Sequence, residues 1–219
     1  LLLRTRAPMP AAPQPGAITP RHPMALGLPP NVLQTLIILA GITCCIAMAM
    51  PQVHIVAYCV DLGYGAARGA QMLSVMLASG IASRLIFGFI MDRIGGVRTL
   101  VLSSLLQGIA LLLFLPSDGL TALFLVSFMF GLFQGGLVPC YAMIVRENFP
   151  PSEAGSRVGM ALSSTMVGMA IGGWMAGALF DATGGYTAAM WNGIAWNLVN
   201  LSIALWLFWR LKRRQQAFA

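Results

Sequence analysis

Six long apolar runs divide the chain, and nearly all the charged residues and most of the prolines gather in the stretches outside them. The runs cover about 32–60, 69–91, 99–115, 120–145, 158–180 and 187–209. At about 1.5 Å per residue each can cross a hydrocarbon layer of about 30 Å as a helix, the third only just. Pro51, close to Gln52 and His54, interrupts the first run and predicts a kink in its outer half. The pattern therefore predicts an all-α membrane protein with six transmembrane helices and the lipid bilayer as its solvent.

Composition narrows the picture. Apolar residues form 58% of the 219 positions and charged residues 9%, too few charges to coat a soluble globule, which carries about 25%. A net charge of +7 would suggest nucleic acid if the basic residues formed one patch, but they lie at helix ends, so no nucleic-acid partner is expected. Cys44, Cys45, Cys59 and Cys140 fall inside apolar runs without zinc-site spacing and read as packing thiols. With no metal site, no Ser/His pairing and no phosphate-binding signature, neither an intramembrane enzyme nor an ATP-driven pump is indicated, and no cofactor is expected. Leu1–Leu3 before Arg4 and Arg6 reads as the last apolar turn of an earlier helix. Residues 7–30 hold eight of the thirteen prolines and read as an extended linker. The expected organisation is thus 1–30 helix end and cytoplasmic linker, 31–210 bundle, and 211–219 basic tail.

Eleven of the thirteen basic residues fall on one side of this topology: in the linker, in the second-to-third and fourth-to-fifth loops, and in the tail. Basic residues near helix ends stay cytoplasmic, which predicts both termini inside the cell. The opposite loops carry Asp61, Asp118 and Asp181 with only Arg68. An internal echo accompanies this arrangement. Gly88, Asp92, Gly95 and Gly96 close the second run in a G-x-x-x-D-x-x-G-G pattern that Gly177, Asp181, Gly184 and Gly185 repeat at the end of the fifth. The copies fall on opposite faces, as expected of an inverted pair of three-helix repeats.

A few polar residues inside the runs carry the candidate chemistry. Arg84 lies eight residues before Asp92, about 12 Å along a helix and too deep to reach the interface easily. A charge there costs about 2.5–3.5 kcal/mol even on the lenient insertion scale. Gly80, one turn earlier, leaves room beside it, and a guanidinium grips a carboxylate through two parallel hydrogen bonds. The competing reading pairs Arg84 with carbonyls or an acid of another segment. His54, Tyr58 and Asp61 share one face near the outer end, so His54 reads as a cavity-lining or proton-coupling residue, or as one bonded to a neighbouring helix. Ser127, Gln134 and Tyr141 form a thin polar stripe on the fourth run. Gly131 with Gly135, Gly168 with Gly172 and Gly173 with Gly177 are small-xxx-small pairs that read as packing contacts. Asn192, Asn197 and Asn200 read as interhelical hydrogen-bond partners.

The segment Gly88, Asp92, Arg93, Gly95, Arg98 resembles the loop signature of the major facilitator superfamily, with Val97 where that family usually has a basic residue. The run Arg146, Glu147, Asn148, Phe149, Pro150 is similar to the family's loop between helices ten and eleven. The resemblance implies that the six helices are the family's seventh to twelfth, a half-bundle completed by a matching N-terminal six-helix half, upstream in the chain or in a second subunit. Gly88, Asp92, Arg93, Gly95 and Arg98 read as a gating motif, with switchable ion pairs to a facing helix end; the competing reading is plain topogenic charge, which explains the arginines but not the Gly88 and Asp92 spacing. Ser83–Gly88, with Arg84, is similar to the eighth helix of monocarboxylate and oxalate/formate carriers, where the arginine holds the substrate carboxylate. Gly80 stands where monocarboxylate carriers often place an aspartate, and run 158–180 lacks the lysine of the oxalate/formate branch. The expected function is secondary transport of a small organic anion, a monocarboxylate first, with Arg84, His54, Gln134, Tyr141 and Tyr58 around it. Carriers of sugars, organic phosphates or drugs, and a non-transporting membrane interaction or signalling protein, remain the alternatives. The expected location is the cell membrane.

Overall fold

The computed structural model describes residues 26–217; the expectations placed on residues 1–25, including the linker arginines, and on 218–219 lie outside them. Seven helices account for the described chain: α1 (Pro30–Asp61), α2 (Ala66–Ile94), α3 (Gly96–Phe114), α4 (Leu120–Gln134), α5 (Leu137–Asn148), α6 (Pro151–Thr183) and α7 (Thr187–Ala217). Because α4 and α5 together make one crossing, the spans number six. All six apolar runs became spans, with the helices reaching past the runs at most ends. The clearest extension is α7, which carries the helix through the basic residues to Ala217.

One expectation differs. The fourth run predicts a single helix, whereas the structure breaks it at Gly135 and Gly136. The ladder resumes where the Cys140 amide donates to the Gly136 carbonyl at 3.3 Å. Pro139 has no amide to give, so the Gly135 carbonyl loses its usual donor. The Leu132 carbonyl is instead taken by the Ser83 hydroxyl of α2, at 2.5 Å. Pro51 sits inside α1 and likewise deprives the Ala47 carbonyl of its donor. Gly193 of α7 packs against that carbonyl, with room for no more than a tight methyl group.

The packing follows from small residues. A Cβ on Gly131 would overlap the Met76 carbonyl oxygen, and one on Gly135 would lie 2.9 Å from the Gly80 carbonyl, so α4 and α2 touch backbone to backbone. Gly168 and Gly172 do the same for α6 against α1, where added Cβ atoms would lie 2.5 Å from the Ile42 carbonyl and 2.7 Å from that of Ile46. The first span packs on the fifth and sixth, and the fourth packs on the second and third. Exchanging the two triplets leaves this neighbour pattern unchanged, as an inverted pair of repeats requires. The two glycine–aspartate copies end alike in position but not in conformation: Gly95 has φ 85° and ψ 163°, Gly184 φ 71° and ψ 17°.

All four cysteines are free and buried. On the α3–α7 side the core is polar. Asn197 donates to the Ser104 carbonyl and to Gln107 Oε1, Asn200 donates to Ser104 Oγ, and Gln107 donates to the Cys44 carbonyl. Asn197 and Asn200 therefore bind across helices as expected, while Asn192 makes no hydrogen bond among the described residues.

Candidate functional site

Five helices converge on a cavity of about 250 Å³ in the bundle. Arg84 and Gly80 come from α2, Gln52 and Met48 from α1, Gln134 from the end of α4, Val138 and Pro139 from α5, and Thr165 with Met166 and Met169 from α6. The helix break positions two of these walls. Gly135 lines the same cavity, and its bare backbone lets α4 approach α2 closely, so that Gln134 and Arg84 line one space.

Arg84 lies next to the buried stripe of α2, on its open flank: Ser83 and Phe87 are buried and Arg84 is exposed. Its guanidinium makes no hydrogen bond or ion pair among the described residues. Across the cavity, Gln134 is 5% exposed and its Oε1 has no hydrogen-bond partner. A buried amide left open costs about 1–3 kcal/mol. A cation with five free donors, a buried amide oxygen open to a donor, and a wall that is apolar apart from Gln52 and Thr165 suit a small anion with a short aliphatic body.

The other three sequence candidates lie elsewhere. Tyr141 is fully buried in the core, its hydroxyl 3.0 Å from the Ala40 carbonyl and 3.3 Å from Asn200 Oδ1, so it ties α5 to α1 and α7 and does not line the cavity. His54 and Tyr58 sit together toward the other end of α1. The Gly173 carbonyl can only accept, so His54 Nε2 donates to it at 2.9 Å, which leaves Nδ1 to accept from the Tyr186 hydroxyl at 3.4 Å. Gly177 lies beside the imidazole, where an added Cβ would stand 3.7 Å from His54 Cε1, an ordinary contact. Tyr58 meets Tyr186 edge-on at 5.5 Å, and Phe180 stacks on the same ring at 4.5 Å. Tyr186 lies in the short connection between α6 and α7. Burial pushes its pKa upward, with Asp61 and Asp181 adding to the effect, so the phenol keeps the proton it donates. The sequence reading did not single out Tyr186, Gln52 or Thr165; Tyr186 lay in a loop, and an isolated polar residue in an apolar run marks no particular face.

The glycine–aspartate loop at the opposite end is built by Gly95, whose positive φ ends α2 and opens α3. Glu147 from the end of α5 accepts the Gly96 amide at 3.0 Å, a bond that neutralises part of the exposed N-terminus of α3. Arg98 donates to Gln215 of α7 at 3.2 Å. Asp92 and Arg93 form no ion pair among the described residues, where the pair found is Glu153 with Arg157 at 2.8 Å.

Residues 32–219 match the family model of the Major Facilitator Superfamily. The chain belongs to that superfamily. As a major facilitator protein it is a multi-pass membrane protein of a transporter family. It is similar to Monocarboxylate transporter 13 of Rattus norvegicus, 31% identical over 142 residues, which is 64% of this chain and 33% of that transporter. The corresponding protein of Bos taurus is 30% identical over the same length. The MFS-type transporter opdF of Penicillium oxalicum is 25% identical over 158 residues, 71% of this chain and 37% of the relative. The chain thus spans about a third of the length of the relatives it matches.

Proposed function

We propose that this chain supplies the anion-holding half of a secondary carrier for a small organic anion, most simply a monocarboxylate. The unpaired Arg84 guanidinium at the cavity carries the reading. It is the one basic residue within a span rather than at its ends, and the monocarboxylate transporters among its relatives support the substrate class. Arg84 binds the carboxylate and Gln134 a second polar group. His54, Tyr58 and Tyr186 close the outer end. The bundle rocks against a matching six-helix half, exposing the cavity to each side in turn. Asp92 and Arg93 meet that partner half, whereas Arg98 is turned to Gln215 of α7, and both termini lie in the cytoplasm of a cell-membrane protein.

The test is uptake of labelled monocarboxylates into proteoliposomes of the full-length protein. Arg84→Ala should lower apparent affinity about 10–100-fold, the worth of hydrogen bonds to a charged group, and Arg84→Lys should recover only part of it. Unchanged uptake by Arg84→Ala removes the assignment.

A further inference from the structure

None of the residues lining the Arg84 cavity comes from α3 or α7. Those two helices pack on each other and form the side of the bundle away from it. Near the end where α3 begins and α7 finishes, a groove of about 480 Å³ runs between them, lined by Arg98, Val101, Leu102 and Leu105 of α3 and by Phe208, Lys212 and Gln215 of α7. Its residues are graded along the membrane normal. Arg98, Lys212 and Gln215 stand at the mouth. Leu105 lies seven residues from Arg98, about 10 Å deeper, and Phe208 lies one turn below Lys212.

We propose that this groove binds one anionic phospholipid, its phosphate between Arg98 and Lys212 and an acyl chain along Leu105 and Phe208. Arg98 spends one donor on Gln215 and keeps the rest of its fork; Lys212 makes no hydrogen bond or ion pair among the described residues. No carboxylate lines the groove. The level is right as well. On α7 the Arg210 guanidinium lies 5.1 Å from the Trp206 ring centre and that of Arg213 3.6 Å from Trp209, the aromatic and basic pairing that settles at a membrane interface. Two cations at headgroup depth above an apolar trough fit a lipid, since free phosphate needs no trough and a neutral lipid needs no cations.

The test uses full-length protein taken from nanodiscs of equimolar phosphatidylcholine and phosphatidylglycerol into mild detergent, with bound lipid read by native mass spectrometry. One phosphatidylglycerol should stay with each chain, and excess inorganic phosphate should not displace it. Arg98→Ala with Lys212→Ala should lower retention about thirtyfold, from about 1 kcal/mol per cation. Arg210→Ala with Arg213→Ala, which removes as much charge from the same helix outside the groove, should leave retention in place. Leu105→Trp keeps both cations, changes a half-exposed position and fills the trough, so it should also release the lipid. Retention of phosphatidylcholine on equal terms, displacement by phosphate, equal losses in the two charge-removed variants, or full retention by Leu105→Trp would each overturn the proposal.

Discussion

Gln134 is held where its amide oxygen meets no protein donor, an arrangement a folded chain keeps only at a cost. Stability and binding should therefore separate at this position. In Gln134→Leu the unmet buried group disappears, so resistance to thermal unfolding should stay level or rise, while apparent affinity for the anion should fall by about tenfold; thermal denaturation and proteoliposome uptake read the two effects. At the same scale, Arg84 and Gly80 were legible from sequence because a full charge in hydrocarbon is too expensive to be incidental. Gln52 and Thr165 were not, because a neutral polar group costs little once any neighbour accepts its hydrogen bond. Tyr141 shows the limit of reading a stripe: Ser127, Gln134 and Tyr141 do share the inner side of the fourth span, but two of the three serve the packed core. The helix break turns only Gln134 toward the cavity.

That break is a property of elements rather than of single residues. The run's unbroken hydrophobicity predicts one helix, and hydropathy has no means of showing an interrupted ladder. The punctuation was nonetheless present in the paired glycines and in Pro139. What the sequence could not show is the remedy, because the Ser83 hydroxyl reaches the orphaned Leu132 carbonyl from another helix. Ser83→Ala should then destabilise the α2–α4 pair by about 0.6–2 kcal/mol, the range for hydrogen bonds between membrane helices. Steric trapping or denaturant unfolding in detergent measures that loss. No change would mean that the carbonyl finds another donor unaided. The six spans themselves were readable throughout, because length and apolarity alone decide what crosses a bilayer.

For the whole molecule, the proposed orientation rests on the cationic loops, and the native thiols make it easy to check. All four cysteines are buried, so a thiol added at an exposed site reports against a quiet background. Asp118→Cys should react with a membrane-impermeant maleimide on intact cells, and Arg146→Cys only after permeabilisation; the reverse pattern would invert the topology. The exchange of triplets that preserves the packing does not preserve the charge. Eighty-nine positions separate Asp92 from Asp181, and the same step from Arg84 arrives at Gly173. A cation without a twin gives the chamber a head and a foot: under the proposed function a negative guest would settle toward α2, with its hydrocarbon end at the thioethers of Met166 and Met169. Such unbranched, polarisable side chains reshape themselves around what they touch. Lengthening the acid one methylene at a time should accordingly weaken uptake by gradual steps, whereas a sharp cut-off at one chain length would reveal a rigid floor.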